Sequence, residues 1–371
     1  MLLQLVGARR VVICSGAGGV GKTTTSAALG LAAARAGRHA VVVTVDPARR
    51  LADALGLSSL SGEPVTLPRE LLDRAGVPED GALHALMLDP KSTFDELVRR
   101  LHGPEEAERI LRNRMYENVS GLLAGMQEYA AQEKLHQLHA DPRFDLVVVD
   151  TPPTRNALDF LEAPDKLSRF LDERVLKWFA PHERKRFGLL QRTGKVVGGV
   201  LGRVFGESFV DELAGFLGAI GGMTATLRTH AEEIRRLLAS PLSTFLLVTA
   251  PEPAALDDAV FFRERLAQLG LPFGGFVVNR VHPDRPELGE EERARTRAAL
   301  AAELGPDRAD ALLRKLEASY AQERARALAD RALIERLRSE GGAPLVGVPL
   351  LEGEISDLAG LARLGDAAFP L

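Results

Sequence analysis

The sequence predicts an α/β fold in which helices cover both faces of a doubly wound, mostly parallel sheet. Two observations support this fold class. Short segments rich in valine and leucine recur along the 371-residue chain, and helix-like segments that end at glycine lie between them. Most of the short segments are apolar at successive positions, which is typical of strands buried on both faces of a parallel sheet.

Seven segments are predicted as strands because aliphatic residues run between turn-forming residues. They span residues 10–15, 39–46, 83–89, 144–150, 244–250, 274–281 and 344–348. Two clear helices alternate with them, at 23–36 before Gly37 and at 253–269 before Gly270, where glycine favours a left-handed cap. We find no internal repeat, so we expect one unit over residues 1–371.

Two long insertions without strand patterns are expected to be helical. They span residues 90–139 and 156–239. The second contains an apolar, glycine-rich segment at 187–223, which could pack in the core, contact a second chain or bind a hydrophobic client. His136 and His139 share a helix face in the first insertion, but no neighbouring residue completes a metal site, and we expect solvated or capping side chains.

Composition excludes several classes of function. Lys and Arg total 47 against 51 Asp and Glu, and this net charge of −4 gives no general attraction to nucleic acid. Cys14 is the only cysteine, so neither an intrachain disulfide nor a multi-cysteine metal site can form, as is usual for a cytoplasmic chain. No apolar stretch is long enough to span a bilayer, so we expect no integral membrane segment.

A glycine-rich segment after the first predicted strand carries the clearest chemical signal. Residues 16–23, GAGGVGKT, match the pattern G-x-x-x-x-G-K-[ST] and precede a helix pattern. In this phosphate loop the backbone N–H groups and the helix N-terminus would surround a phosphate. Lys22 would neutralise phosphate oxygens, and the Thr23 hydroxyl would bind Mg²⁺.

Two predicted strands end in aspartate, and each could serve the same site. Asp46 ends the second predicted strand, and Asp150 ends the fourth. We expect Asp150 to hold Mg²⁺ through water, in the second shell of the ion, and Asp46 to orient or deprotonate the attacking water.

These segments resemble the ArsA-type anion-transporting ATPase family, which includes arsenite-pump ATPases and ATPases that target tail-anchored membrane proteins. The matching strings, in the family's order, are SGAGGVGKTTTSAALGLA, VTVDPARRLADALGL, VVVDTPPTRNAL, VTAPEPAALDDA, VVNRV and VPLLEGEISDLAGL. The resemblance covers nearly the whole chain. It implies a phosphate-loop ATPase with an inserted helical subdomain, which uses ATP and Mg²⁺, forms a homodimer or a heterodimer with a paralogue, and binds a hydrophobic protein client.

The resemblance also assigns roles to individual residues. It places the nucleotide phosphates and Mg²⁺ on Gly18, Gly19, Val20, Gly21, Lys22, Thr23 and Thr24. It makes Asp46 the water-positioning residue and Asp150 the magnesium aspartate. It places adenine beside Asn279 and Arg280, and beside Pro349 and Leu350, which lie where the family closes over the base.

The chain departs from the family in one informative way. Ala17 stands where the family's loop carries a lysine that reaches the partner's nucleotide. Arg49, Arg50 or Arg155 could replace that cation. Alternatively, the chain is a nucleotide-binding scaffold with little activity alone, which works with a lysine-bearing paralogue. A membrane-oscillating ATPase fits less well, because the C-terminal segment lacks basic amphipathic character.

Overall fold

The computed structural model describes residues 7–46, 49–113, 116, 126–152, 207–351, 353, 355 and 357–369. Arg155 and most of the segment 187–223 lie outside the described residues. The predicted helical subdomain at 156–239 is described from residue 207 onward.

The described residues form one eight-stranded sheet in the order β3-β4-β2-β5-β1-β6-β7-β8. The strands are β1 (Val11–Ser15), β2 (His39–Thr44), β3 (Val65–Thr66), β4 (Ala82–Met87), β5 (Leu146–Asp150), β6 (Ser243–Thr249), β7 (Phe273–Val281) and β8 (Leu345–Pro349). Neighbouring strands run parallel, except that β3 is antiparallel to β4. This confirms the predicted fold class. The short β3 was not predicted, because two residues carry no recognisable period.

Eleven helices lie in the described part of the chain. They are α1 (Lys22–Arg35), α2 (Arg50–Leu55), α3 (Arg69–Arg74), α4 (Pro90–Leu101), α5 (Pro104–Leu111), α6 (Met126–Ala140), α7 (Glu207–Ala239), α8 (Pro253–Gln268), α9 (Glu290–Leu304), α10 (Pro306–Gly341) and α11 (Leu358–Ala368). None of these helices is long and apolar enough to cross a membrane.

Some predicted boundaries shift by a few residues for local reasons. The predicted third strand included Asp89, but β4 ends at Met87. Asp89 instead caps α4, because its Oδ1 accepts hydrogen bonds from the backbone N–H groups of Lys91 (3.0 Å) and Ser92 (3.3 Å). An aspartate after a strand can therefore begin a helix rather than serve a site.

Alternating residues of the strands pack into two separate cores, one on each face of the sheet. In β1, Val11 and Ile13 belong to the core shared with α6, α7 and α8, whereas Val12 and Cys14 belong to the core shared with α1 and α11. Burial raises the pKa of the Cys14 thiol to about 12, so this cysteine stays protonated and unreactive.

The carboxyl ends of the central strands meet at one edge of the sheet. Asp150 pairs with Cys14 on one side and with Thr44 on the other. Since β1 is followed directly by the phosphate loop, this register brings the ends of β2 and β5 next to the loop. Ligands of open α/β sheets bind at this edge.

Candidate functional site

Backbone geometry requires glycine at three positions of the phosphate loop. A Cβ atom at Gly16 would lie 1.9 Å from the carbonyl oxygen of Val248 in β6. Gly19 and Gly21 have left-handed φ angles of 79° and 94°. A Cβ atom at Gly21 would also lie 2.2 Å from Nδ2 of Asn279. Steric constraints thus explain these three glycines, and they leave the loop backbone close to β6 and β7.

Lys22 is the first residue of α1 and points back into the loop. Its Nζ donates a 2.8 Å hydrogen bond to the carbonyl oxygen of Ala17. The side chain is mostly buried, and this burial lowers the pKa of Lys22, while Asp150 and Asp46 oppose the shift. The ammonium group is therefore held inside the loop, where it can exchange the Ala17 carbonyl for phosphate oxygens.

Asp150 is the most perturbed carboxylate of the site. It is 1% exposed at the end of β5, and its Oδ2 accepts hydrogen bonds from the hydroxyls of Thr23 (2.7 Å) and Thr44 (2.9 Å). Desolvation by burial raises the pKa of Asp150 to about 6, although both hydroxyls and Lys22 favour the ionised form. The protein therefore holds a carboxylate at a place where its charge is costly.

The residues present fit a magnesium ion. Among the described residues, the buried Oδ1 of Asp150 has no hydrogen-bond partner. A buried carboxylate oxygen without a donor is unfavourable unless a cation, or a water such as one bound to a cation, satisfies it. Oxygen ligands of this kind, together with the Thr23 hydroxyl, match the donor set that Mg²⁺ uses in phosphate-loop proteins.

Asp46 lies two residues beyond the end of β2 and is connected to Asp150 through one hydroxyl. The Oγ1 of Thr44 donates to Asp150 and accepts a 3.2 Å hydrogen bond from the backbone N–H of Asp46. The Asp46 carboxylate is 27% exposed and lies 3.4 Å from the guanidinium of Arg50. The structure thus places the two predicted aspartates at one edge, with the more exposed one nearer to solvent.

Asn279 contacts the phosphate loop directly. It is buried in β7, and its Nδ2 donates a 2.9 Å hydrogen bond to the carbonyl oxygen of Val20. The resemblance assigned Asn279 to adenine, but in this structure the amide group braces the loop backbone across 259 positions of sequence. The same side chain limits the space at Gly21.

Arg280, Pro349 and Leu350 lie together at the carboxyl ends of β7 and β8. Arg280 is exposed and has a φ angle of 61°, which is unusual for a residue with a Cβ atom. The ladder between the two strands is irregular here, with Val281 opposite Pro349, and the Leu350 N–H donates 2.8 Å to the Val281 carbonyl. Strained backbone of this kind clusters at ligand sites.

Sequence reasoning missed several residues that the structure brings to the site. Thr44 and the carbonyl of Val248 both contact it, through Asp150 and Gly16 respectively. Thr151 also lies at this edge of the sheet, next to the end of β1. Its hydroxyl donates to the Cys14 carbonyl and lies 3.2 Å from the hydroxyl of Ser15. A polar residue near the end of an otherwise apolar strand is the signal that could have identified Thr44.

Comparison with known proteins identifies the family to which this site belongs. The anion-transporting ATPase family matches residues 9–301, which include the phosphate loop, both aspartates and Asn279. The chain belongs to this family. It is accordingly an ATP-binding protein and an ATPase.

Similar proteins carry related names. The chain is 25% identical over 292 residues to the ATPase GET3 of Malassezia globosa. The matched region covers 78% of this chain and 77% of that protein. It is 25% identical over 275 residues to the ATPase get3 of Schizosaccharomyces pombe, covering 73% of each. It is also 25% identical over 274 residues to the ATPase ARSA2 of Chlamydomonas reinhardtii, covering 73% of this chain and 67% of that one.

Proposed function

We propose that the chain hydrolyses ATP at the phosphate loop in a Mg²⁺-dependent reaction. One observation supports this most directly. Asp150 is buried beside the loop with one oxygen held by Thr23 and Thr44 and the other without a partner among the described residues. Bound Mg²⁺ would neutralise charge on the phosphates, and Thr23 and Asp150 are the residues that would hold it.

The remaining groups of the loop would bind and orient the nucleotide. Lys22 is already confined within the loop by the Ala17 carbonyl, so its charge is available to the phosphates with little reorganisation. Asp46 would orient or deprotonate the attacking water, since it lies near the magnesium aspartate and is more exposed. The residues proposed to bind the phosphates are Gly18, Gly19, Val20, Gly21, Lys22, Thr23 and Thr24.

The adenine is proposed to lie at the ends of β7 and β8. Arg280, Pro349 and Leu350 are adjacent there, and the large apolar side chain of Leu350 is 45% exposed. Asn279 would connect this region to the phosphates, because its amide already contacts the loop carbonyl of Val20. The amide oxygen of the same side chain could accept from the adenine amino group.

Nucleotide state is proposed to control a helical client-binding region in a dimer. The insertions at 90–139 and 156–239 carry the chain into β5 and β6, the two neighbours of β1. Residues after Asp46 and Asp150 would be ordered by the γ-phosphate and released after hydrolysis. A hydrophobic segment of a membrane protein is the client that the resemblance suggests, in a cytoplasmic targeting step.

A second candidate function follows from Ala17. Its side chain carries no charge, and within the described part of the chain Lys22 hydrogen-bonds at this position to the backbone carbonyl. Without a lysine reaching across the dimer, the chain would bind ATP but hydrolyse it slowly alone, with a lysine-bearing paralogue supplying the missing charge. Arg49, Arg50 and Arg155 are the candidates within this chain for that charge, and Arg50 is 68% exposed beside Asp46.

Steady-state ATP hydrolysis by the purified chain tests the proposal. We expect turnover that requires Mg²⁺ and is abolished by Lys22→Ala, because loop phosphates would lose their main cation. Lys91→Ala is the matched control, since Lys91 is exposed and pairs with Asp95 within α4. Full activity in Lys22→Ala would remove the reaction from this loop.

The two candidates are separated by repeating the assay with Ala17→Lys. If the chain alone hydrolyses almost no ATP and a lysine-bearing paralogue raises the rate, the scaffold function is favoured. If the chain alone hydrolyses ATP, the function as an enzyme acting by itself is favoured. Calorimetry with ATP, ADP and Mg²⁺ provides the baseline for both. A folded chain that binds none of these nucleotides would contradict both candidates.

A further inference from the structure

A cluster of two histidines and two glutamates joins α6 to α7 on the face of the sheet that carries these helices. Glu133 and His136 are three positions apart on α6, and His230 and Glu233 are three positions apart on α7. Each pair therefore lies on one helix face, one turn apart. The two imidazole rings stack with centroids 4.3 Å apart at an interplanar angle of 17°.

Each histidine is hydrogen-bonded to the glutamate of the opposite helix. His230 Nδ1 lies 2.7 Å from Glu133 Oε2, and His136 Nε2 lies 2.8 Å from Glu233 Oε2. The other oxygen of Glu133 accepts from Arg100 (2.6 Å). Glu133 is 1% exposed, so a carboxylate with two cationic or imidazole partners is held between the helices.

One ring nitrogen in this cluster is unsatisfied. His136 Nδ1 is buried and has no hydrogen-bond partner among the described residues. Because its Nε2 faces the Glu233 carboxylate, the imidazole of His136 would carry its proton on Nε2. The lone pair on Nδ1 would then be available to a ligand. This pattern, in which a carboxylate orients a histidine from behind, is how metal-binding histidines are held in proteins.

We propose that Glu133, His136 and His230 bind one divalent ion of the zinc class, with Glu233 orienting His136 from the outer shell. Ligand atoms of these three residues lie within 4.8 Å of one another, which is close enough for one ion to draw them together. Two imidazoles and one carboxylate suit zinc, cobalt or nickel better than the hard ion Mg²⁺, and three protein ligands leave a fourth position for water.

A cavity reaches the cluster at His136. It has a volume of about 580 Å³, and its lining includes His136, Gln137 and Arg100. The paired negative charges of Glu133 and Glu233, opposed by Arg100 at one oxygen, leave the cluster suited to a dication. Bound there, the ion would link α6, which leads into β5, to α7, which leads into β6.

This ion is distinct from the magnesium of the proposed ATPase reaction and does not depend on that reaction. The test uses the untagged full-length chain, stripped with a chelator and then kept in excess Mg²⁺ without nucleotide. Zn²⁺ is titrated by calorimetry, and Co²⁺ is added separately because its visible absorption reports nitrogen and oxygen ligands. We expect one ion to bind per chain. We also expect Zn²⁺ to raise the melting temperature and the chelator to return it to the metal-free value.

Three variants and one control test the two histidine ligands and the outer-shell glutamate. His136→Gln and His230→Gln keep the side-chain volume and should weaken Zn²⁺ binding more than Glu233→Gln, which should weaken it about 10- to 100-fold. His139→Gln is the matched control, since His139 Nδ1 is also buried without a partner but belongs to no such cluster among the described residues. It should bind Zn²⁺ as the unchanged chain does.

Three results would overturn the proposal. These are no Zn²⁺ binding by the unchanged chain, undiminished binding in both His136→Gln and His230→Gln, or equal weakening in the His139→Gln control. If a variant fails to fold, as seen by circular dichroism, the Co²⁺ spectrum and the zinc-dependent melting temperature of the unchanged chain decide alone. A melting temperature that Zn²⁺ leaves unchanged is a fourth result that would overturn the proposal.

Discussion

Replacing Asp150 with asparagine should stabilise the nucleotide-free protein while removing the proposed magnesium-dependent activity. The side chain is 1% exposed, and burial raises its pKa from an ordinary 3.8 to about 6. One unit of pKa corresponds to about 1.4 kcal/mol, so ionised Asp150 lowers the free energy of unfolding by up to about 3 kcal/mol above pH 6. A neutral, nearly isosteric amide avoids that penalty and can still accept from Thr23 and Thr44.

The pH dependence of this effect follows from the direction of the shift. Between about pH 4 and pH 6 the unfolded chain loses the Asp150 proton before the folded chain does, so the stability of the unchanged protein falls as pH rises. The advantage of Asp150→Asn should therefore be about 3 kcal/mol at pH 7.5, about half of that at pH 5, and absent below about pH 4. Urea unfolding at these pH values, without nucleotide, measures it.

A matched substitution and a second condition make this test specific. Asp46→Asn changes the more exposed aspartate at the same edge of the sheet. This substitution should change the free energy of unfolding of the protein by less than about 0.5 kcal/mol. Adding ATP and Mg²⁺ should stabilise the unchanged protein more than Asp150→Asn. The reasoning from burial is wrong if Asp150→Asn is less stable than the unchanged protein at pH 7.5. It is also wrong if the gain in free energy of unfolding is the same at every pH.

Three further substitutions test the contacts around the loop and the helices. Gly16→Ala should displace the loop from Val248 O, lower stability by about 1–3 kcal/mol and weaken ATP binding, as measured by urea unfolding and calorimetry. Asn279→Ala leaves the Val20 carbonyl without its donor and should weaken ATP binding about tenfold; binding equal to that of the unchanged chain would exclude a bracing role. Lys134→Met removes a cation that is 3% exposed and lies between Glu63 and Glu96. This substitution should lower the free energy of unfolding by about 1–3 kcal/mol at pH 7 and by less at pH 5. An equal loss at both pH values would contradict a stabilising role of the ion pairs.

The parts that sequence could predict are those with local patterns. The strand and helix alternation, the glycine-rich loop and the strand ending in Asp150 are visible in short windows, because burial on both faces and the loop's positive φ angles each demand particular residue types. Family membership followed from the same strings.

Contacts between distant positions were not predictable in this way. Nothing near Asn279 in the sequence shows that its amide reaches Val20, 259 positions away. Likewise, α6 alone does not show the cluster around His136, since the opposite helix contributes His230 and Glu233 from much later in the chain. These arrangements depend on which strands and helices become neighbours, and that is a property of the whole fold rather than of any window of sequence.

The position of β1 has a mechanical consequence. Its two neighbours, β5 and β6, are the strands through which the chain returns from α6 and from α7. Strands in a sheet are only about 4.8 Å apart, so segments separated by more than a hundred residues in sequence are hydrogen-bonded directly to β1. If the helices respond to nucleotide as proposed, the hydrogen bonds on the two sides of β1 would carry a helix movement to the strand that ends in the phosphate loop.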